Sequence, residues 1–532
     1  MTSNEIRKLF LSILVISFSG AGWSQAFRVQ CPATTSLHPA VGAGSPTGTP
    51  YNGPTQIQDT GNGGTGLTYL SNGGLIKCQQ VSGGDGYATM ADGTQIYMFA
   101  FGPLSGISHV AMGLPGTETP DIFNVMGPAL SAGDPVTSGT SYNGAVGLAP
   151  DIEAGGIIDG HVDPRPIMDV GVMNGNQPAP LMAIDEDDEF FLTLTNVGMI
   201  MRPDLFEQHT IHFHGYPNAA SIYDGVPDAS VAINIGGSMT YYYLAPDAGT
   251  YFWHCHITPP EHLQMGMVGQ LYVRPRQNRV PANANLRASL VQQQLDPRIA
   301  SNCASDILCS TPVPPQTATP ALHGNNKSGQ PTLYAYNDGD GSTAYDVEYP
   351  LQIHGFDPNF HFVGMTFNPE GFADMKDKYF LLNGRSYPDT VQPGAMQTPS
   401  SDGTMHASQP LPSIINIPVG GRALLRISDL DVSEFQTLAS LGIPMKVIAL
   451  NARLLRDEAG NNMFYTTNSV TLGGGESLDV ILDSTGFAAG QKFFLYTPNL
   501  DHLSNDAENF GGLMTEVNVC NSVDPVSKVC GS

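Results

Sequence analysis

Apolar and polar residues alternate in short runs along the chain, and this pattern predicts β-strands. In "EFFLTLTNV", which begins at residue 189, Phe190 and Leu192 fall on one face and Phe191 and Thr193 on the other. "SMTYYYLAPDAGTYFWHCH", from residue 238, reads as two strands joined by a Pro-Asp-Ala-Gly turn. Later phrases of the same kind include "YFLLNGRSYPDTV", "GGRALLRISDL", "IPMKVIALNARLL", "GESLDVILDS" and "QKFFLYTP". Short strands with frequent Gly and Pro between them predict β-sandwiches.

The strand phrases form two series, and 532 residues exceed one ordinary core. We therefore predict a first domain at 78–275 and a second at 346–520. The stretch at 276–345 is rich in Gln, Asn, Pro and Ala, which suits a long linker. A Gly-, Thr- and Asn-rich segment at 27–77 precedes the first domain, and a tail at 521–532 follows the second.

The first 26 residues read as an export signal. Arg7 and Lys8 precede an apolar run at 9–16, and residues 24–26 offer a small-residue cleavage site. No later segment is long and apolar enough to cross a bilayer. The sequence thus predicts a periplasmic or secreted protein with no membrane span.

Charge narrows the range of partners. The formal net charge is −26, and only 13% of the residues are charged. Such an acidic chain repels phosphate backbones, so we expect no nucleic-acid partner.

Seven cysteines in an exported chain leave one without a partner. Pairing by proximity gives three disulfides: Cys31–Cys78, Cys303–Cys309 and Cys520–Cys530. Six cysteines allow about 15 connectivities, so other pairings stay open. Under the proximity pairing the remaining thiol is Cys255.

Histidines flank Cys255 in "FWHCHITPPEHLQMGM", residues 252–267. Successive strand side chains point to opposite faces, so Cys255 faces away from both neighbouring histidines. The same parity in "HTIHFHG", residues 209–215, places its last two histidines opposite the first. Two sets of metal-ligating residues result, one with a thiol and one with imidazoles only: His209 and Cys255; His212, His214, His254 and His256.

The loop after Cys255 extends the first set. His262 follows Cys255 by seven residues and Met267 follows by twelve, so a turning loop can bring both back to the thiolate. Two imidazoles, a thiolate and a weak thioether are the ligands of a blue copper electron-transfer site. Zinc fits less well, because structural zinc sites do not use methionine.

The second set suits copper that keeps a coordination position open for a small molecule. Because Cys255 is covalently flanked by His254 and His256, an electron at the first copper has a short through-bond route to the second.

These two motifs resemble those of the multicopper oxidase and copper nitrite reductase superfamily. "HTIHFHG" is similar to its H-x-x-H-x-H-G element, and "HCHITPPEHLQMGM" to its H-C-H…H-x-x-x-x-M element. The resemblance is strong over 165–275 and extends through strand phrases over 345–520. It implies an all-β fold of two tandem cupredoxin-like Greek-key β-sandwich domains joined by a long linker.

The laccase-like resemblance also implies copper ligands. The type 1 ligands would be His209, Cys255, His262 and Met267. Half of a type 2/type 3 cluster would be His212, His214, His254 and His256. A donor would reduce the type 1 copper, and the histidine-ligated site would reduce oxygen.

The other half of that cluster has no match in the second series of strands. His502 stands in a register similar to that of the catalytic-copper histidine that nitrite reductases, which are trimers, supply across a subunit boundary. The alternatives are therefore a nitrite-reductase-like homotrimer with a mononuclear type 2 copper, or a non-catalytic blue copper electron carrier.

The electron donor stays open among small molecules, metal ions and redox proteins, and the acceptor between oxygen and a nitrogen oxide. Asp224, beyond the first histidine motif, and Asp501, beside His502, are the predicted proton relays. His354 and His361 lack a metal-ligand spacing, and we expect them in surface or loop positions.

Overall fold

The computed structural model describes most of the chain beyond residue 73. The described residues are 29–35, 38, 57–59, 67–69, 74–123, 141–142, 145–146, 149–153, 156–163, 173–215, 220–245, 247–294, 311–327, 329–366, 371–399 and 405–531.

Strands dominate the described residues. The first half of the chain contains β1 Ile57–Asp59, β2 Leu67–Tyr69, β3 Ile76–Thr89, β4 Gln95–Pro103, β5 Ser141–Tyr142, β6 Ala145–Val146, β7 Ala149–Glu153, β8 Gly156–Asp163, β9 Met182–Asp185, β10 Glu189–Gly198, β11 His212–His214, β12 Ser238–Leu244, β13 Gly249–His254 and β14 Val268–Arg274. The second half contains β15 Leu333–Tyr334, β16 Ala344–Tyr345, β17 Val347–Phe356, β18 Tyr379–Leu382, β19 Met396–Pro399, β20 Met405–Gln409, β21 Ile415–Pro418, β22 Arg422–Asp429, β23 Gln436–Leu441, β24 Met445–Leu450, β25 Arg453–Leu454, β26 Tyr465–Thr467, β27 Ser469–Leu472, β28 Glu476–Asp483, β29 Lys492–Tyr496, β30 Met514–Cys520, β31 Ser522–Val523 and β32 Cys530–Gly531.

Helices are few and short. The α-helices are α1 Ile107–Ala111, α2 Pro120–Phe123, α3 Pro259–Gln264, α4 Leu286–Gln293 and α5 Pro358–Thr366. The 3-10 helices are Ser221–Tyr223, Arg276–Arg279, Phe372–Asp374, Asp389–Val391 and Leu500–Leu503. Within the described ranges, none of these helices has the length and apolar character that crossing a bilayer requires.

Two four-stranded sheets form a first sandwich, which we call the first body. Their strand orders are β12-β10-β3-β4 and β11-β13-β14-β9. Phe190, Leu192 and Leu194 of β10 enter its core, as the alternation predicts. The turn after β12 carries the chain from one sheet to the other. β13 lies between β11 and β14 in the second of these sheets, and the cysteine motif begins at its end.

A second, larger sandwich forms the second body. Its sheets have the orders β18-β17-β22-β28-β24-β25, with β26 also on β24, and β21-β30-β29-β23-β27. Its core consists mainly of aliphatic side chains, such as Leu425, Val480 and Leu495. The predicted all-β fold with two tandem sandwiches is confirmed.

The two bodies share buried contacts. Phe360 and Ala452 of the second body belong to the core cluster of the first. Thr250 of β13 donates a hydrogen bond of 2.6 Å to Asp479 of β28. The second body therefore packs directly against the strand that precedes Cys255.

The described part of the stretch predicted as a linker is packed against both bodies. The guanidinium of Arg276 lies 2.7 Å from the carboxylate of Asp187 in the first body. The Tyr336 hydroxyl donates to Asp479 in the second. The domain boundaries themselves stay predictions.

Two of the disulfides predicted from proximity are present, Cys31–Cys78 and Cys520–Cys530. The third pairing lies outside the described residues. Cys255 is free and buried.

The expectation for His354 and His361 is wrong, because each side chain is only 1% exposed. His354 lies in β17, which is hydrogen-bonded on both edges, to β18 and β22. His361 lies on α5, and its Nδ1 is 2.6 Å from the carbonyl oxygen of Tyr97. His354 is thus covered because it lies in a central strand, and His361 is covered because α5 packs against the first body.

Candidate metal centres

The register between β11 and β13 brings the two histidine motifs side by side. His212 pairs directly with His254 in this antiparallel ladder. Just before β11, His209 makes an isolated bridge with Ile233, and Cys255 directly follows β13. The motifs are therefore adjacent in space although about 40 residues separate them in sequence.

Three buried side chains converge in the core of the first body, and we call them the closed group: His209, Cys255 and His262. The Cys255 Sγ lies 3.2 Å from His262 Nδ1 and 3.9 Å from His209 Nδ1. All three residues are 0% exposed. Gly83 leaves room for this arrangement, because a Cβ there would lie 2.7 Å from the His209 ring.

The loop after Cys255 turns back on itself. His262 lies on α3, and Gly266, at φ +114°, reverses the chain in a conformation that favours glycine. The Met267 N–H donates to the His262 carbonyl at 2.8 Å, and the Cys255 N–H donates to the Met267 carbonyl at 3.2 Å. Met267 is buried in the same core cluster as Cys255, and this backbone hydrogen bond holds the two residues next to each other.

The electrostatics of the closed group favour a thiolate. Burial by itself raises the pKa of the Cys255 thiol, but the His262 charge and hydrogen bonds from both histidines hold that pKa well below its ordinary value. Burial likewise opposes the charged form of His262, yet the Cys255 thiolate and Glu207 raise its pKa to about 10. The metal-free site is thus a thiolate–imidazolium pair.

Glu207 is a site residue that the sequence reasoning missed. Its carboxylate lies 3.6 Å from Nε2 of His262, the ring nitrogen that points away from Cys255. Its closeness in sequence to His209, in "EQH", is the one signal that could have identified it. Strand alternation gives no such signal, because residues 205–208 are not in a strand.

Three imidazoles form a second, partly exposed group, which we call the open group: His212, His214 and His254. Their ligand atoms lie within 4.8 Å of one another, as do those of the closed group. The Nε2 atoms of His214 and His254 are 2.8 Å apart. His212 and His214 are half-buried, whereas His254 is buried.

Hydrogen bonds orient two rings of the open group. A carbonyl oxygen only accepts, so His212 Nδ1 donates to the Asp224 carbonyl and His254 Nδ1 donates to the Cys255 carbonyl, both at 2.7 Å. In each neutral ring the Nε2 lone pair is then free to bind a metal.

Burial keeps the open group neutral. Desolvation, followed by the charge of neighbouring histidines, lowers the pKa of His214 to about 4. The same two causes hold the pKa of His254 well below its ordinary value. Burial also lowers the pKa of His212. Neutral imidazole is the form that binds metals.

Two other predicted residues lie beside the open group. The His256 ring is 5.0 Å from that of His212, although its nitrogens are not within the three-histidine group. The Asp224 carboxylate lies 3.6 Å from His212 Nδ1.

His502 belongs to neither group within the described chain. Its ring stacks on Phe380 at 3.8 Å, and its Nδ1 lies 3.0 Å from Gln436. Its Nε2 lies 2.9 Å from the carboxylate of Glu434. The neighbouring Asp501 is exposed.

A cavity of about 510 Å³ lies between the two bodies, near the closed group. Tyr97 lines it together with Phe362 and Met365 of α5. The Tyr97 ring packs edge-on against Phe99 at 5.8 Å, and Phe99 packs edge-on against His262 at 5.8 Å. Two ring contacts therefore connect the cavity with the closed group.

Comparison with known proteins finds similarity around the two groups. Residues 159–278 match the profile of the family described as "Multicopper oxidase". The chain is 35% identical to laccase abr2 of Aspergillus fumigatus over 109 residues, 20% of this chain and 17% of that protein. It is 32% identical to a copper-containing nitrite reductase of Rhizobium meliloti over 117 residues, 21% of this chain and 28% of that protein.

The chain thus spans under a third of the length of these curated relatives. A solved structure of a blue copper oxidase from Nitrosomonas europaea aligns with 83% of this chain and 85% of its own, at 18% identity and a TM-score of 0.46.

Proposed function

Residues 159–278 belong to the multicopper oxidase and copper nitrite reductase superfamily, and from this premise we propose that the chain is a copper-dependent oxidoreductase. It takes single electrons from a donor at the closed group and passes them to an acceptor at the open group. One observation carries this proposal: the thiol of one group and an imidazole of the other are consecutive residues, Cys255 and His254, at the end of one strand.

The donor set of the closed group fits copper. A thiolate and two imidazoles within 4.8 Å of one another, with Met267 hydrogen-bonded through its backbone to Cys255, match the ligand types of a type 1 copper site. The group is fully buried, which excludes water from the metal. A copper ion held by these residues would supply one-electron transfer.

The open group fits a copper ion that binds a small molecule. Its imidazoles are neutral at pH 7, and the partial exposure of His212 and His214 leaves a side through which a ligand can approach. We propose that His256 completes this site and that oxygen is the acceptor.

The electron route follows the covalent chain and one hydrogen bond. The backbone joins Cys255 to His254, and His254 Nδ1 donates to the carbonyl of Cys255 itself at 2.7 Å. This bond also fixes the ring so that its Nε2 points into the open group. The chain thus couples the two groups without any intervening side chain.

Proton delivery falls to residues beside each group. Asp224 would relay protons to the acceptor, and its carboxylate 3.6 Å from His212 Nδ1 supports this role. Glu207, beside His262, is placed to accept a proton from a donor that loses one on oxidation. A small-molecule donor would occupy the cavity that Tyr97 lines; metal ions and redox proteins are the other donor classes.

A second candidate function is reduction of a small nitrogen oxide at one copper ion. The observation that favours it is the size of the open group, because three imidazoles within 4.8 Å match one ion. In that case a homotrimer would bring His502 of a neighbouring chain, with Asp501, to the site. A copper protein that only carries electrons is the third candidate.

Export to the periplasm or secretion is part of the proposal. The two disulfides support it, since such bonds persist in oxidising compartments.

The test is turnover by copper-loaded protein, with oxygen uptake and nitrite consumption measured in parallel against phenolic, metal-ion and protein donors. Oxygen uptake supports the oxidase, and nitrite consumption alone supports the second candidate. If neither oxygen nor nitrite is consumed but the blue centre can be reduced, the protein is an electron carrier.

A further inference from the structure

In the loop that carries His262 and Met267, the side chain of Gln264 forms hydrogen bonds to the second body. Gln264 lies on α3 between these two residues and is 0% exposed. Its Nε2 donates to the Asp377 carboxylate at 2.9 Å. Its Oε1 accepts from the Asp357 N–H at 3.0 Å.

The backbone of the same residue is also held from the second body. The carbonyl oxygen of Gln264 lies 2.9 Å from Nε2 of His361 on α5. The next residue, Met265, packs against the same helix, because a Cβ on Gly364 would lie 3.2 Å from its sulfur. The second body thus contacts both the side chain and the backbone of Gln264.

The partner carboxylate is itself immobilised. Ser433 donates to the second oxygen of Asp377 at 2.5 Å. A Cβ on Gly355 would lie 2.1 Å from that oxygen, so β17 passes directly over it. Asp377 therefore offers Gln264 one fixed acceptor rather than a mobile surface carboxylate.

We propose that Gln264 is a positioning residue through which the second body sets the placement of His262 and Met267 around the closed group. The second body has no cluster of metal-ligating side chains among its described residues. Its contribution to the copper centre is to hold this loop through the hydrogen bonds of Gln264 to Asp377 and Asp357, which we call the clamp. The proposal rests on the proposed function to the extent that the closed group holds copper.

The physical reason is the cost of a buried amide. A buried polar group destabilises a fold unless its hydrogen bonds are made, and the bonds of Gln264 can be made in one orientation only. An apolar residue would fill the same space but would accept many loop positions. Hydrogen-bonded supports of this kind hold ligands in place and tune the metal.

The test compares Gln264→Leu with Gln270→Leu. Gln270 is a matched control, since it is also buried and also crosses to the second body, donating to the Arg426 carbonyl at 2.9 Å and to Ser428 at 3.0 Å. It lies on β14, beyond the loop. Both variants lose one bridge between the bodies, but only the first loosens the loop.

In copper-loaded protein, Gln264→Leu should displace and broaden the absorption near about 600 nm and weaken copper retention at the closed group about tenfold. Gln270→Leu should leave the band unchanged. Asp377→Asn, which keeps an acceptor for Gln264, should retain the wild-type band, whereas Asp377→Leu should reproduce the change. Asp377→Leu also tests the clamp if Gln264→Leu does not fold.

A second readout needs no metal. In metal-free protein, Gln264→Leu should raise the rate at which a thiol reagent modifies Cys255, with Cys255→Ser as the background. An unchanged band and an unchanged rate would overturn the proposal, as would equal changes in Gln270→Leu. Failure of wild type to develop the band would instead defeat the proposed function, and the thiol rate would still decide whether the clamp exists.

Discussion

The closed and open groups meet at one strand end but differ in burial, charge and ligand type. The closed group is fully buried, contains a thiolate and carries a protonated histidine in the metal-free protein. The open group is partly exposed at His212 and His214 and contains only neutral imidazoles. A buried thiolate suits electron transfer without a bound substrate, and an exposed imidazole cluster suits binding of a small molecule.

This difference follows from the alternation of one short sequence. Cys255 points into the first body, and His254 points out of it toward His214. Cys255 lies in the apolar core of the first body, whereas His254, although buried itself, meets the partly exposed His212 and His214. Cys255 and His254, although adjacent in sequence, therefore belong to two groups with different chemistry.

The largest predicted effect comes from removing the thiolate. Cys255→Ser should abolish the intense absorption near about 600 nm, because thiolate-to-copper charge transfer is its source. The open group should keep its copper. The measurement is an absorption spectrum with copper content, and Met239→Leu, in the same core cluster but on β12, serves as the control. A band that survives in Cys255→Ser would contradict the assignment.

Removing an imidazole from the open group should have the reverse outcome. His254→Ala should retain the band near about 600 nm but lose acceptor reduction about 100-fold or more, since the site loses a ligand. His323→Ala removes a buried histidine outside both groups and should change neither quantity. Full turnover in His254→Ala would show that the acceptor binds elsewhere.

Proton release on copper binding should separate the two groups more finely. At pH 7 copper must displace the proton of His262, whose pKa is about 10, so affinity at the closed group should rise about tenfold per pH unit up to that pKa. His214, with a pKa of about 4, is already neutral at pH 7. Affinity at the open group should therefore stay flat above neutrality and fall only as the pH approaches 4.

Calorimetry in two buffers of different ionisation enthalpy measures this release. Cys255→Ser isolates the open group, and His254→Ala isolates the closed one. Equal proton release in the two variants would remove the electrostatic distinction between the groups.

The smallest predicted effect is that of Asp224→Asn. The Asp224 backbone carbonyl, which orients His212, remains, so copper content should not change. Only the pH profile of acceptor reduction should shift, because the carboxylate 3.6 Å from His212 is lost. An unchanged profile would eliminate Asp224 as a proton relay.

Local alternation was sufficient to predict strands such as β10 and the separation of Cys255 from the histidines of the open group. It placed Cys255 and His254 on opposite faces, and the β11–β13 register then fixed which histidines meet. Contacts made by the second body were not predictable in this way. His361 and Gln264 meet only because α5 packs on the first body, and their neighbours in sequence do not encode that approach.

The position of His502 illustrates the same limit. Its spacing resembles that of a ligand, yet in this chain both ring nitrogens face side chains of the second body, Gln436 and Glu434. Whether a neighbouring chain changes these contacts is a property of the assembly. A ligand role for His502 therefore stays a prediction.

Copper per chain, measured by elemental analysis of fully loaded wild type and Cys255→Ser, tests the central claim most directly. Two different copper sites predict about two to four ions in wild type and about one fewer in the variant. A wild-type value of about one or less, or the same value in both proteins, would contradict the account.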